Sequence, residues 1–141
     1  MRLALRIIVI GSVAATGALA AQASRTVWDG VYTDAQAKRG EAIYRDHCIR
    51  CHGEMLTGGT DGAGPLVGPT FNGNWNGVNL GDMIERVRTS MPQDKPGTLS
   101  RQQHVDVLAY ILSFNKFPAG PKELARQTEI LNQIQFKATK P

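Results

Sequence analysis

The chain has 141 residues, of which 42% are hydrophobic, and a formal net charge of +4 at pH 7. This length suits one domain with a single modest core, and domains of this size are marginally stable without additional help. The basic residues form no long run and do not alternate with aromatic residues, so the sequence does not indicate a nucleic-acid partner.

The N-terminal segment has the layout of a secretory signal peptide. Arg2 and Arg6 precede an uncharged, mostly apolar run over 7–20, and small residues follow it. Cleavage is expected after Ala20 or Ala23, which predicts export to the periplasm and lowers the formal charge to +2. The run is shorter than the roughly 20 apolar residues of a membrane span, so we expect no span in the mature chain. A retained N-terminal anchor is the alternative.

A first helix is predicted from Thr33 to about Asp46. Thr33 and Gln36 have the spacing of a capping box, and apolar residues recur at helical spacing as far as His47. Gly40 lies in the interior of this helix, where glycine costs roughly 1 kcal/mol relative to alanine. This cost predicts that another helix approaches closely at Gly40.

A glycine-rich stretch over 53–78, which also contains two prolines, predicts a long loop without helix or strand. Loops of that length are unusual in a compact domain, and one explanation is a loop that wraps a large bound group. A linker between two domains is the alternative. A short helix is expected next, with Asn79 as its N-cap and an apolar face that extends to Val87.

The most clearly amphipathic helix begins at Ser100, which forms a second capping box with Gln103, and ends before Pro118. A further helix is predicted over 122–135. No alternating pattern of a strand is visible, so the expected fold class is all-α. The buried side of the last helix would consist of Leu124, Ile130, Leu131 and Ile134.

The two cysteines lie in the sequence Cys48-Ile49-Arg50-Cys51-His52. A disulfide would close a very small loop, a redox motif would need a βαβ context, and a zinc site would need further ligands. Cys-x-x-Cys followed directly by histidine is the attachment motif of c-type haem. Both thiols must reach the two vinyl groups on one porphyrin edge, and the imidazole must then turn under the iron. The motif predicts one covalent haem c, with His52 as the proximal ligand.

The second axial ligand must come from the opposite haem face and therefore from a distant part of the sequence. Met91 precedes Pro92, which moves it out of helical geometry, and it is the predicted ligand. Met55 is too close to His52 to reach that face, and Met83 lies on an apolar helix face, where a core role is expected. The remaining histidines, expected to be partly exposed or structural, are His47 and His104.

Over residues 33–117 the chain resembles the small class I cytochromes c. The resemblance rests on the order of Gly40, Cys48-x-x-Cys51-His52-Gly53, the glycine-rich loop, Met91-Pro92 and Ala109-Tyr110-Ile111. It implies a small cytochrome c fold in which the first and last helices cross tightly and a glycine-rich loop wraps the haem. It also implies that Gly40 packs beside Val107 and Tyr110.

The resemblance implies further haem contacts. That family has a Gly-Pro-x-Leu-x-Gly stretch whose proline carbonyl accepts a hydrogen bond from the proximal histidine, and this chain departs from it. Aligning the stretch on Leu66 and Gly68 puts Gly64, rather than Pro65, at the accepting position. Trp75 resembles the tryptophan that donates to a haem propionate, and an ordinary core tryptophan is the alternative.

The expected organisation is a signal peptide over 1–23, a cytochrome c domain over 24–120 and a C-terminal helical extension over 121–141. Residues 27–32 and the basic C-terminal tail are similar to extensions of cytochromes that serve periplasmic quinoprotein (PQQ) dehydrogenases. This similarity suggests a dehydrogenase partner.

Histidine and methionine ligation leaves the iron without an open position for substrate, so a one-electron carrier is expected rather than an enzyme. It would accept electrons from a periplasmic dehydrogenase and pass them to an oxidase or another cytochrome. The alternatives are a cytochrome subunit of a quinoprotein dehydrogenase complex and a five-coordinate haem peroxidase or ligand-binding protein. A positive docking rim, with an ordinary solvated surface as its alternative, would consist of Arg45, Arg50, Arg86, Arg88 and Lys95.

Overall fold

The computed structural model describes residues 25–59 and 62–141. This part of the chain forms the helices α1 (Asp34–His47), α2 (Ile49–His52), α3 (Gly68–Trp75), α4 (Leu80–Ser90), α5 (Arg101–Phe114) and α6 (Thr128–Leu131). Two strands of two residues each, β1 (Arg25–Thr26) and β2 (Ile134–Gln135), pair in parallel. The fold is therefore all-α, as predicted, and its strand content is almost nil.

The predicted signal peptide over 1–23 lies outside the described residues. Within the ranges given above, no helix combines the length and the apolar character that crossing a bilayer requires.

The core is organised around the crossing of α1 and α5. At Gly40 the two backbones come so close that a β-carbon there would lie 1.8 Å from the carbonyl oxygen of Asp106. Nearby, the rings of Tyr44 and Tyr110 pack with their centroids 5.3 Å apart. The close approach predicted at Gly40 is confirmed, and its nearest neighbour is the backbone of Asp106, ahead of Val107.

Gln36 has a different role from the one predicted. The hydroxyl of Thr33 accepts from the Gln36 backbone N–H at 3.1 Å, as an N-cap does. The side chain of Gln36 is fully buried and donates to the Asp106 carboxylate and the Leu124 carbonyl, both at 3.0 Å. The capping box predicted at Thr33 is only half formed, because Gln36 instead joins α1 to α5 and to the C-terminal segment. The box that opens α5 is complete.

The segment over 68–75 corrects the prediction of an uninterrupted loop over 53–78. It forms α3, and Pro69 lies in its first turn. The backbone N–H groups of a first turn have no partner within the helix, so proline, which lacks this N–H, is tolerated there. Phe71 and Trp75, one helical turn apart, pack with ring centroids 6.4 Å apart. The spacing of these two aromatic residues indicated a helix, but the glycine and asparagine content of 53–78 outweighed it in the sequence-based prediction.

The C-terminal segment also corrects the sequence-based prediction. Instead of a helix over 122–135, only Thr128–Leu131 is helical, and Ile130 is 42% exposed rather than buried. Phe136 exchanges two backbone hydrogen bonds of 2.8 Å with 77–78, before α4. These bonds and the unexpected β1–β2 pairing use backbone groups that a longer helix would need. The side chains that are buried as predicted are Leu124, Leu131 and Ile134.

We expect Gly40→Ala to destabilise the fold by at least about 2 kcal/mol, because the added methyl group must displace the backbone of α5. Gly73→Ala is the matched control in α3, since a β-carbon there meets nothing within 4 Å and alanine is the better helix former. The free energy of unfolding from denaturant titrations measures both. A Gly40→Ala protein as stable as the wild type would contradict the close crossing.

Candidate haem site

The attachment motif occupies a single turn at the end of α1. Cys48 closes α1 and opens α2, and its carbonyl accepts from the backbone N–H groups of Cys51 and His52 at 3.2 and 3.0 Å. α2 ends at Gly53, which has a positive φ of 75°. Residues three and four positions apart lie on one face of a helical turn, so the motif presents its side chains together. The two cysteines are not joined in a disulfide.

Burial raises the pKa of the Cys48 thiol to about 11, and the neighbouring Cys51 adds to this effect. Redox-active Cys-x-x-Cys motifs depend instead on a thiol whose pKa is lowered, because the thiolate is the reactive form. A thiol that stays protonated in apolar surroundings therefore argues against the redox-motif interpretation.

The glycine-rich loop lies directly against the attachment turn. Nδ1 of His52 is 3.0 Å from the carbonyl oxygen of Gly64, the position expected from the alignment on Leu66 and Gly68. A β-carbon at Gly59 would lie 2.4 Å from the carbonyl oxygen of Cys51, so the loop needs glycine at this approach. A hydrogen bond from Nδ1–H to Gly64 leaves Nε2 of His52 as the nitrogen that can bind a metal.

Cys48 and His52 line a cavity of about 290 Å³ whose wall is almost entirely apolar. The structure brings three other predicted site residues, Leu66, Trp75 and Met91, to the same cavity. Gly64 contributes through its bond to His52, and Cys51 is half-buried in the same turn. The other apolar lining residues include Phe71, Met83, Ile84, Leu99, Leu108 and Ile111.

This lining fits a haem. A porphyrin is a large flat apolar group, and the wall supplies an apolar surface of matching character from α3, α4 and α5. The donor set also fits, because a thiol, an imidazole and a thioether of the kinds that c-type haem uses border one cavity. No group of three or more His, Cys, Asp or Glu side chains that could hold a metal ion lies within residues 25–59 and 62–141.

Met91 lies at the C-terminal end of α4, where its backbone N–H donates to the Val87 carbonyl at 2.8 Å. Among the other methionines, Met55 is 62% exposed and Met83 is 3% exposed. Met83 also borders the cavity, so two methionines face it from the same helix and its end. The core role expected for Met83 agrees with its burial.

Arg86 is exposed, as expected for a rim residue, and it also borders the cavity, which was not predicted. Its guanidinium carbon lies 5.3 Å from the ring centroid of Trp75, within the range of a cation–π contact. Arg86 is the one arginine or lysine among the lining residues of this cavity. Its spacing of three residues from Met83 was the available signal, because both lie on one helical face.

His104 is the second residue whose position was not anticipated. It was expected to be partly exposed or structural, and it is 4% exposed and borders the cavity. Nδ1 lies 3.0 Å from the Ser100 carbonyl oxygen and Nε2 lies 3.4 Å from that of Met91. Its structural contacts fit the expectation, and its burial corrects the idea of partial exposure. His47 is exposed.

Three of the five side chains predicted to form a positive docking rim are paired with carboxylates. The pairs are Arg45 with Glu41, Arg50 with Asp94, and Arg88 with Glu85, at N···O distances of 3.0, 2.7 and 3.0 Å. Arg86 and Lys95 have no carboxylate within 4 Å among the described residues. The surface therefore mixes charges, and its positive character is weaker than the sequence indicated.

Helices packed around an apolar cavity, with a Cys-x-x-Cys-His turn on the cavity wall, define a small cytochrome c domain. The chain belongs to the family described as cytochrome C oxidase, cbb3-type, subunit III, whose family model matches residues 35–111, more than half of the chain. No curated protein and no solved structure matches the chain. Membership of a cytochrome c family implies a c-type haem, a role in carrying electrons and redox proteins as partners.

The ion pairs of Glu85 predict a pH-dependent stability. Arg101 and, to a smaller extent, Arg88 lower the pKa of Glu85, so its pairing stabilises the fold above the ordinary carboxyl range and is lost as the pH falls. Because these groups are partly exposed, we expect Glu85→Gln to cost no more than about 1 kcal/mol at pH 7.

This cost should disappear as the pH falls through the range where Glu85 takes up its proton, which denaturant titrations at several pH values measure. Glu129→Gln is the control, since Glu129 is exposed and has no ion pair among the described residues. A cost for Glu85→Gln that is the same at every pH would refute this electrostatic origin.

Proposed function

We propose that this protein is a one-electron carrier of the periplasm that uses one covalently bound c-type haem with His52 and Met91 as axial ligands. The observation that carries the proposal is that both side chains line one almost entirely apolar cavity together with Cys48. They belong to different elements, α2 and the end of α4, so they approach the cavity from separate parts of the chain.

The residues of the attachment turn would hold the group and orient its first ligand. Cys48 and Cys51 would form two thioether bonds, each by addition of a thiol across a vinyl group. A hydrogen bond from His52 Nδ1–H to the Gly64 carbonyl would fix the imidazole and leave the Nε2 lone pair available to bind the iron. Met91 would supply its sulfur. When bound, the haem supplies an iron ion that takes up and releases one electron, and the thioether favours the ferrous form.

The rest of the lining is mostly apolar and would limit contact between the haem and water, which supports a raised reduction potential. The propionates of a haem do not suit an apolar wall, because a buried carboxylate needs a polar partner. Trp75 offers an indole N–H, and Arg86 brings a positive charge beside it. These two residues are the proposed partners of the propionates.

The proposed location is supported by the sequence, and the proposed partners are supported by the sequence resemblance and the family. The signal-peptide pattern over 1–23 supports export to the periplasm. The electron donor would be a periplasmic dehydrogenase, and the acceptor would be an oxidase or another cytochrome. The family description names a cytochrome c oxidase, which supports the oxidase side of this scheme. Because the charges around the site are mixed, we expect docking to depend only modestly on salt.

A cytochrome subunit of a larger redox complex, such as a quinoprotein dehydrogenase complex, is the second candidate. It is favoured by the family description, which names a subunit. The C-terminal segment is a poor docking arm for such a complex, because Leu124, Leu131 and Phe136 are buried in the protein's own core. Co-purification at a fixed stoichiometry would support this candidate, and a monomeric carrier would argue against it.

The proposal predicts the optical spectrum of the ferric protein. The wild type, produced with haem maturation, should contain one covalent haem by mass and a sulfur-to-iron charge-transfer band. Met91→Ala should abolish this band and leave the covalent haem in place. Met55→Ala is the matched control, because Met55 is a largely exposed methionine and should leave the band unchanged.

Three outcomes would contradict parts of the proposal. A band that persists in Met91→Ala would exclude Met91 as the ligand, and absence of covalent haem in the wild type would remove the central claim. Turnover of hydrogen peroxide by a wild type without the band would favour the five-coordinate peroxidase instead.

A further inference from the structure

His104 is a buried titratable side chain to which the proposed electron-carrying function assigns no role. It lies in the first turn of α5, is 4% exposed and borders the cavity together with Met91. Its backbone N–H donates to the Ser100 carbonyl at 3.1 Å, as a helical residue does. The backbone bond accounts for its place in α5, and the contacts of the imidazole require a separate explanation.

The imidazole contacts two carbonyl oxygens, that of Ser100 through Nδ1 and that of Met91 through Nε2. A carbonyl oxygen only accepts, so each contact is favourable when the ring nitrogen carries a hydrogen. The imidazolium donates through both nitrogens, and the neutral ring protonated at Nε2 donates to Met91. These two forms direct an N–H at the Met91 carbonyl, whereas the neutral ring protonated at Nδ1 donates to the Ser100 carbonyl alone.

The backbone of Met91 has few other contacts that could fix it. Met91 caps the C-terminal end of α4, where the last carbonyls of a helix have no partner within the helix. Its own N–H is held by the Val87 carbonyl at 2.8 Å. Pro92, which follows, has no N–H to close a turn onto α4. A donor from α5 therefore fixes the carbonyl end of Met91, while α4 fixes the amide end.

We propose that His104 is a positioning residue for Met91. Its Nε2–H donates to the Met91 carbonyl and thereby fixes the direction in which the Met91 side chain enters the cavity. This inference rests on the proposed function, because it concerns how the axial sulfur is held.

Titration of the ferric protein with imidazole tests the inference, with the change in the main haem absorption band as the readout, because this band is present with and without Met91. His104→Leu removes the donor, and we expect it to bind imidazole about fivefold more tightly than the wild type, the factor that one neutral hydrogen bond supplies. His104→Gln retains an N–H donor and should restore much of the wild-type value. His47→Leu changes an exposed histidine and should leave imidazole binding unchanged.

A double-mutant comparison separates positioning of Met91 from a general effect on the cavity. In a Met91→Ala background there is no sulfur to displace, so adding His104→Leu should not change imidazole affinity. An equal change in both backgrounds would overturn the inference, as would equal affinity of His104→Leu and the wild type. Loss of the sixth ligand in His104→Leu but not in Met91→Ala would make His104 a ligand and would also overturn it.

Failure of the proposed function is distinguishable from failure of this inference. It would be seen without any histidine variant, as absence of covalent haem or of the charge-transfer band in the wild type, or as a band that persists in Met91→Ala. When the wild type has both and Met91→Ala loses the band, the outcomes named for His104→Leu test the inference on His104 by itself.

Discussion

The near contact of α1 and α5 at Gly40 sets the geometry on which the site depends. A β-carbon at Gly40 would lie 1.8 Å from the Asp106 carbonyl oxygen, so no other residue type allows this spacing. α1 continues directly into Cys48, whose N–H donates to the Tyr44 carbonyl at 2.8 Å. α5 supplies part of the cavity wall. The distance between attachment turn and wall is therefore fixed by the crossing, and the wall residues from α5 include Val107, Leu108 and Ile111.

The apolar wall imposes a second constraint, because a charged group placed there is costly unless it finds a partner. The two arginines of α4 avoid this cost in different ways. Arg86 borders the cavity but is exposed, with its guanidinium over the Trp75 ring, whereas Arg88 pairs with Glu85 at 3.0 Å. Residues two positions apart lie on different sides of a helix, so one helix presents a cation to the cavity and an ion pair elsewhere.

Elements with their own local signals were predictable from the sequence. The capping box of Ser100 and Gln103 predicted the start of α5. Gly40 predicted that another helix approaches closely, but it did not identify Asp106 as the neighbour. α3 was missed because the composition over 53–78 outweighed the spacing of its two aromatic residues. The C-terminal segment was mispredicted because its backbone bonds to a turn far away in sequence. The burial of His104 had a local signal, since His104 lies four residues before Leu108 on one face of α5, whereas its contact with Met91 depends on a segment outside that helix.

The two proposed axial ligands are held together by packed helices more than by surface contacts. Arg50 of the attachment turn pairs with Asp94 beyond Met91 at 2.7 Å, yet their side chains are 73% and 50% exposed. Exposed pairs contribute about 0–1 kcal/mol and weaken with salt, so this bridge cannot fix the site. Buried Met83 and Ile84 anchor α4 in the core instead. Because α4 packs on α5 and α5 on α1, the path from Met91 to His52 runs back through the crossing at Gly40.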